Sequence, residues 1–147
     1  TTAEFLAQAT AELLGTSIGQ HANLFYAVIE TQNNRLTYSV AGALPVPLLI
    51  ADGEARYLEG QGAPVGLFDE TNYQEIAVDL PDKSRIMMFS DGILEVLEQE
   101  SLAKKEAFLL SEAPKMKADI ESVFNDFNVD ESQQYPDDIA LLIVDKI

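Results

Sequence analysis

A chain of 147 residues, nearly half of them apolar, can bury one real core, so global disorder is excluded and a single domain is expected. The absence of cysteine excludes disulfides and thiolate metal sites. A formal net charge of −16, with nine scattered basic residues, excludes a nucleic-acid surface, which needs clustered Lys and Arg; the field instead favours solubility, divalent cations or a basic partner. No run approaches the roughly 18–20 apolar residues of a membrane span. The opening segment TTAEFLAQATAELLG has no basic leader, so a cytoplasmic location is expected. It also lacks an initial Met, as a part of something longer would.

In that opening segment Phe5, Leu6, Ala9 and Leu13 recur at helical spacing, Thr1 and Glu4 are placed for a capping box, and Gly15 supplies a stop. Leu24 to Ile29 and Leu36 to Val40 read as strands joined through Asn33-Asn34, a hairpin. Val46 to Ile50 and Ala55 to Leu58, joined through Asp52-Gly53, read as a second. Gly60, Gly62, Pro64 and Gly66 mark a loop, and Tyr73 to Val78 alternates as a half-buried strand does.

Arg85 to Phe89 is a continuous apolar strand expected to be buried on both faces, and it runs into Ser90-Asp91-Gly92. Three helices should follow, over Ile93 to Glu98, Glu100 to Ser111 and Lys115 to Phe127; the last carries Ile120, Val123, Phe124 and Phe127 as a core stripe. A polar stretch from Asn128 to Tyr135 ends at Pro136, and Ile139 to Val144 is the most apolar strand, expected to be buried. Antiparallel strands with helices at the start and late middle make an α+β fold, with no repeat and no linker.

Two carboxylate sites stand out. Asp91 follows one apolar strand, and Asp137-Asp138 precede another. If those strands are antiparallel neighbours, Asp91 and Asp137 lie side by side. Close carboxylates repel, and a hard divalent cation relieves the repulsion. A water on that cation would be acidic enough to attack phosphorus. Taken singly, Ser-Asp-Gly is also an ordinary turn, and paired aspartates are an ordinary solvated strand edge. His21 reads as a plain loop residue, and Ser90 lacks the context of a nucleophile. Glu95, Glu98 and Glu100 read as a solvated helix face.

The segments MMFSDGILEVLE and DDIALLIV resemble the last two signature blocks of the SpoIIE/RsbU branch of bacterial PP2C-like (PPM-type) serine/threonine phosphatases. Upstream, NLFYAVIETQNNRLTYSVAGALPVPLLI is similar to that family's paired strands, and Gly62-Ala63-Pro64-Val65-Gly66 to the loop that follows. A further likeness is to the C-terminal domain of RssB-type response regulators. The resemblance implies an α-β-β-α sandwich of antiparallel sheets flanked by helices. Residues 1–147 would be the C-terminal major part of the domain, with its N-terminal part missing.

By position, the resemblance implies that Asp91 and Asp137 are metal ligands, with Asp138 supporting rather than ligating and Gly92 needed for the turn. It implies Mn²⁺ or Mg²⁺ as cofactor, with no catalytic residue beyond the metal ligands. The substrate would be a phosphoprotein, or the partner a sigma or anti-sigma factor, with a receiver domain upstream and neither nucleic acid nor membrane as partner. The pattern departs from the family in three places. Its earlier Gly-Asp block is absent, Val40-Ala41-Gly42-Ala43 stands where relatives read Asn-Ala-Gly-His, and the segment between the last two blocks is short. Three readings follow: a metal-dependent phosphatase, a catalytically inactive scaffold that holds a sigma or anti-sigma partner, and a metal-free structural domain.

Overall fold

The computed structural model describes residues 1–16, 18–69, 71–130 and 132–147. The chain divides into two compact units, one formed by residues 1–44 and 59–81, the other by 45–58 and 82–147.

The first unit opens with helix α1 (Thr2–Leu14). Its capping box is present: the Glu4 N–H donates to the Thr1 hydroxyl, and the terminal amine donates to the Glu4 carboxylate. The expected stripe is present in part: Leu6 is buried, and Ala9 and Leu13 pack against its cluster. Phe5 is 46 % exposed and stacks on Tyr26, while Thr2, Leu6 and Thr10, spaced one helical turn apart, turn inward. The two threonines are tolerated inside because each finds a partner. The Thr2 hydroxyl meets Ser39 Oγ at 2.8 Å and Glu75 Oε2 at 2.9 Å, and Thr10 meets the Tyr73 hydroxyl at 2.7 Å.

Strands β1 (Leu24–Glu30) and β2 (Arg35–Ala41) form the expected hairpin, with Asn34 at φ 51 where the chain must turn left-handed. β2 is the middle strand, so Leu36, Tyr38, Val40 and Ala41 are buried. Two further strands belong to the second unit, β3 (Leu48–Ala51) and β4 (Glu54–Tyr57). β5 (Ile76–Asp79) then closes the first sheet, in the order β1-β2-β5; it starts three residues later than the alternation predicted. Gly62 is fixed by close approach, since a Cβ there would sit 2.3 Å from the Val40 carbonyl oxygen.

In the second unit, β3 and β4 turn over Asp52 and Gly53, both at positive φ (52 and 79), as the Asp-Gly pair predicted. β6 (Arg85–Phe89) and β7 (Leu141–Asp145) complete an antiparallel sheet in the order β4-β3-β6-β7. Leu48, Met87, Ile93, Leu109, Val123 and their neighbours make the core of this unit. Helices α2 (Gly92–Val96), α3 (Leu102–Glu112) and α4 (Ile120–Asp126) cover it.

Two expectations are corrected here. The last helix begins at Ile120, not Lys115. Residues 113–115 form a separate 3-10 turn containing Pro114, Met116 is extended, and Asp119 starts the new helix by accepting the Ser122 N–H. The final strand, expected to be buried, is covered on one face only. It ends the sheet, so Leu141 and Ile143 pack on the core while Leu142 and Val144 stay 53 % and 36 % exposed.

Candidate functional site

β6 and β7 are antiparallel neighbours in the register Phe89↔Leu141, which brings Ser90-Asp91-Gly92 against residues 137–140. Arg85 fixes that register from the far end, clasping its cross-strand partner Asp145 through Nε at 2.6 Å and Nη2 at 3.2 Å.

Beyond the last ladder pair Ser90 carries the pairing forward. Its N–H donates to the Ala140 carbonyl at 3.0 Å. Its hydroxyl accepts the Ala140 N–H and donates to the Asp138 carbonyl, both at 2.8 Å. The hydroxyl is thus engaged as a clamp on the strand that brings the second carboxylate pair. No sequence signal marks this role, because it depends on the register of a strand far along the chain.

Asp91 holds the residue before α2, and its carbonyl accepts the Leu94 N–H while its exposed side chain makes no capping bond. Asp137 and Asp138 are exposed too, and Asp137 Oδ1 accepts the Asp138 N–H at 2.8 Å. Gly92 is the hinge of the arrangement, for a reason other than the one expected. Its φ is not positive; a Cβ there would lie 2.3 Å from the Asp138 carbonyl oxygen and 3.2 Å from that of Asp137. The backbone of 137–138 therefore rests on the bare α-carbon beside Asp91. Juxtaposition of the two acidic segments, expected from antiparallel neighbours, is what the chain adopts.

The donor chemistry suits a hard divalent ion, because all three candidates are carboxylates. The set is incomplete. Among the described residues no group of three or more acidic or histidine side chains is arranged to hold a metal ion. Glu95 and Glu98 are exposed on and just after α2, His21 is exposed before β1, and Val40 and Ala41 are buried as apolar residues of β2. These residues alone do not fit a whole metal centre.

The family model for SpoIIE, the stage II sporulation protein E, matches residues 1–146. The chain belongs to the SpoIIE family. Solved structures agree on the PP2C-like fold, a mixed α/β architecture with two antiparallel sheets flanked by helices. The RsbU and RsbW domains of Rv1364c from Mycobacterium tuberculosis match with a TM-score of 0.75 at 24 % identity, over 99 % of this chain and 42 % of that one. The phosphatase domain of the cell-fate determinant SpoIIE from Bacillus subtilis matches with a TM-score of 0.65 at 14 % identity, over 96 % and 73 %. PppA, a regulatory component of T6SS in Pseudomonas aeruginosa, matches with 0.60 at 16 %, over 95 % and 66 %. This SpoIIE-family chain thus spans less than half of the first of these structures. Among curated proteins none matches its sequence. No helix among the described residues is long and apolar enough to cross a membrane.

Proposed function

We propose that the chain is the C-terminal major part of a PP2C-like serine/threonine phosphatase domain whose parent protein hydrolyses a phosphoprotein with Mn²⁺ or Mg²⁺. Asp91 and Asp137 are its contribution to the metal centre, Asp138 supports them, and a carboxylate elsewhere in the parent completes the set. The observation that carries this reading is the β6–β7 pairing that lays the backbone of 137–138 on Gly92, beside Asp91. The SpoIIE phosphatase domain has been described in a Mn-presoaked form, which supports the choice of ion. In the same proposal the domain is the cytoplasmic output of a bacterial response regulator of RssB type, with a receiver domain upstream, acting in a sigma-factor pathway.

Full-length protein with Mn²⁺ should release phosphate from a phosphoserine or phosphothreonine peptide and stop on chelation. Asp91→Asn and Asp137→Asn should each cost on the order of 100-fold or more, since groups that merely orient metal ligands can cost up to about that. Turnover indifferent to chelator would sink the reading.

A second reading has its own observation. Three potential ligands do not converge among the described residues, and buried Val40 and half-buried Ala43 stand where relatives carry Asn and His. A catalytically inactive scaffold for a sigma or anti-sigma partner would have this form. It predicts partner binding unchanged by chelator and by the same two substitutions.

A further inference from the structure

The stripe on α4 has two fates. Val123 and Phe127 are buried in the core of the second unit, whereas Ile120 is 46 % exposed and Phe124 half-buried. The helix ends with Asn128 at φ 55, the Asn128 N–H on the Asn125 carbonyl (3.0 Å) and the Val129 N–H on the Phe124 carbonyl (2.8 Å). This is a Schellman closure, which pairs the side chains at its two ends, here Phe124 and Val129. Both line two adjoining hollows. One of about 880 Å³ runs along α4 past Ile120; the other, about 580 Å³, shares Phe124 and Val129 with it and reaches Asp137 and Asp138. The two make a largely polar groove, with Ile120, Phe124 and Val129 as its apolar members, that leads to the candidate carboxylates.

Among the described residues every charged side chain along the groove is acidic: Asp119, Glu121 and Asp130 at the α4 end, Asp137 and Asp138 at the other. No lysine, arginine or histidine among the described residues lines it. A second copy of a chain carrying −16 is repelled by such a surface, as is any acidic ligand.

We propose that this groove docks a basic, apolar-anchored segment of the protein substrate, flanking the phosphorylated residue presented at the Asp137 end. The proposal rests on the phosphatase reading for the substrate and on the groove alone for the docking chemistry. An aliphatic side chain of the partner enters between Ile120, Phe124 and Val129, and its cationic neighbours face the acidic rim.

Docking is measured without turnover, by fluorescence anisotropy of the chain with an unphosphorylated peptide bearing helix-spaced leucines flanked by arginines. A matched peptide has glutamates in place of the arginines. The arginine peptide should bind at physiological salt and the glutamate peptide should not. Ile120→Ser, at an exposed position, should weaken binding about tenfold, as loss of an apolar anchor does. Glu121→Lys should weaken it about fivefold, whereas Glu54→Lys, the same charge change at an exposed β4 position outside the groove, should alter it less than about twofold. Equal binding of the two peptides, equal losses at Glu54 and Glu121, or self-association abolished by Ile120→Ser would each overturn the docking proposal. Hydrolysis of p-nitrophenyl phosphate by the full-length protein is read separately. Its absence with peptide binding intact would overturn the phosphatase reading and support the groove as a docking site.

Discussion

The two units of this chain solve the same problem with different chemistry. Three of the four buried polar residues among the described residues, Thr2, Thr10 and Ser39, belong to the first unit, where α1 is tied by side-chain hydrogen bonds to Ser39, Tyr73 and Glu75. The second unit relies on a contiguous apolar core under three helices, and polar bonds hold its strand ends at Arg85 and Ser90. Apolar burial is non-directional, whereas a hydrogen bond demands position. A core built from it sets volume and leaves strand ends free to carry polar groups. The candidate carboxylates stand at such strand ends.

Substitutions can break this contrast. Met87→Ala, at a fully buried position of β6, should lower unfolding free energy by about 2–5 kcal/mol in a denaturant titration. Gly92→Ala should cost about 1–3 kcal/mol, because the new methyl meets backbone that cannot rotate away. It should also abolish any activity that needs Asp91 and Asp137 together. In the first unit Thr10→Val, nearly isosteric, should cost about 1 kcal/mol by leaving the Tyr73 hydroxyl without its partner. Were it to cost as much as Met87→Ala, the first unit would depend on polar contacts far more than its geometry implies.

The smallest effect is one of pH. The Thr2 backbone N–H and then its hydroxyl hold the Glu75 carboxyl below its ordinary range. A depressed carboxyl stabilises the folded state fully above the ordinary Glu pKa of about 4.3, and that contribution is lost as pH falls through the lower folded value. Glu75→Gln should therefore be slightly less stable at neutral pH. Its midpoint should converge with that of the unaltered protein on acidification. A constant gap across that range would show that the carboxylate charge is irrelevant.

How much was legible in advance depends on how local the cause was. Asn33-Asn34 and Asp52-Gly53 announce their hairpins because turn chemistry acts within a few residues. The capping box of α1 is legible for the same reason. The late start of α4 was not, since helical periodicity continues through Lys115 to Asp119 while Pro114 and the Asp119 cap decide the boundary. The exposure of Leu142 and Val144 follows from β7 being the last strand of its sheet, a property of strand order that hydrophobicity does not encode. At the site, the nearness of Asp91 to the 137–138 segment was inferable from two apolar strands and an assumed antiparallel pairing. The clamp by Ser90 and the true reason for Gly92 required the register itself.

That register has a consequence in time. The hydroxyl of Ser90 and the carbonyl of Asp138 are 48 positions apart, whereas the β3–β4 hairpin closes over a two-residue turn. Contacts so distant along the chain carry a larger loop-closure entropy and form after local ones. The two acidic segments therefore meet only when β7 docks on β6. Any ligand that needs both should slow unfolding more than it speeds folding.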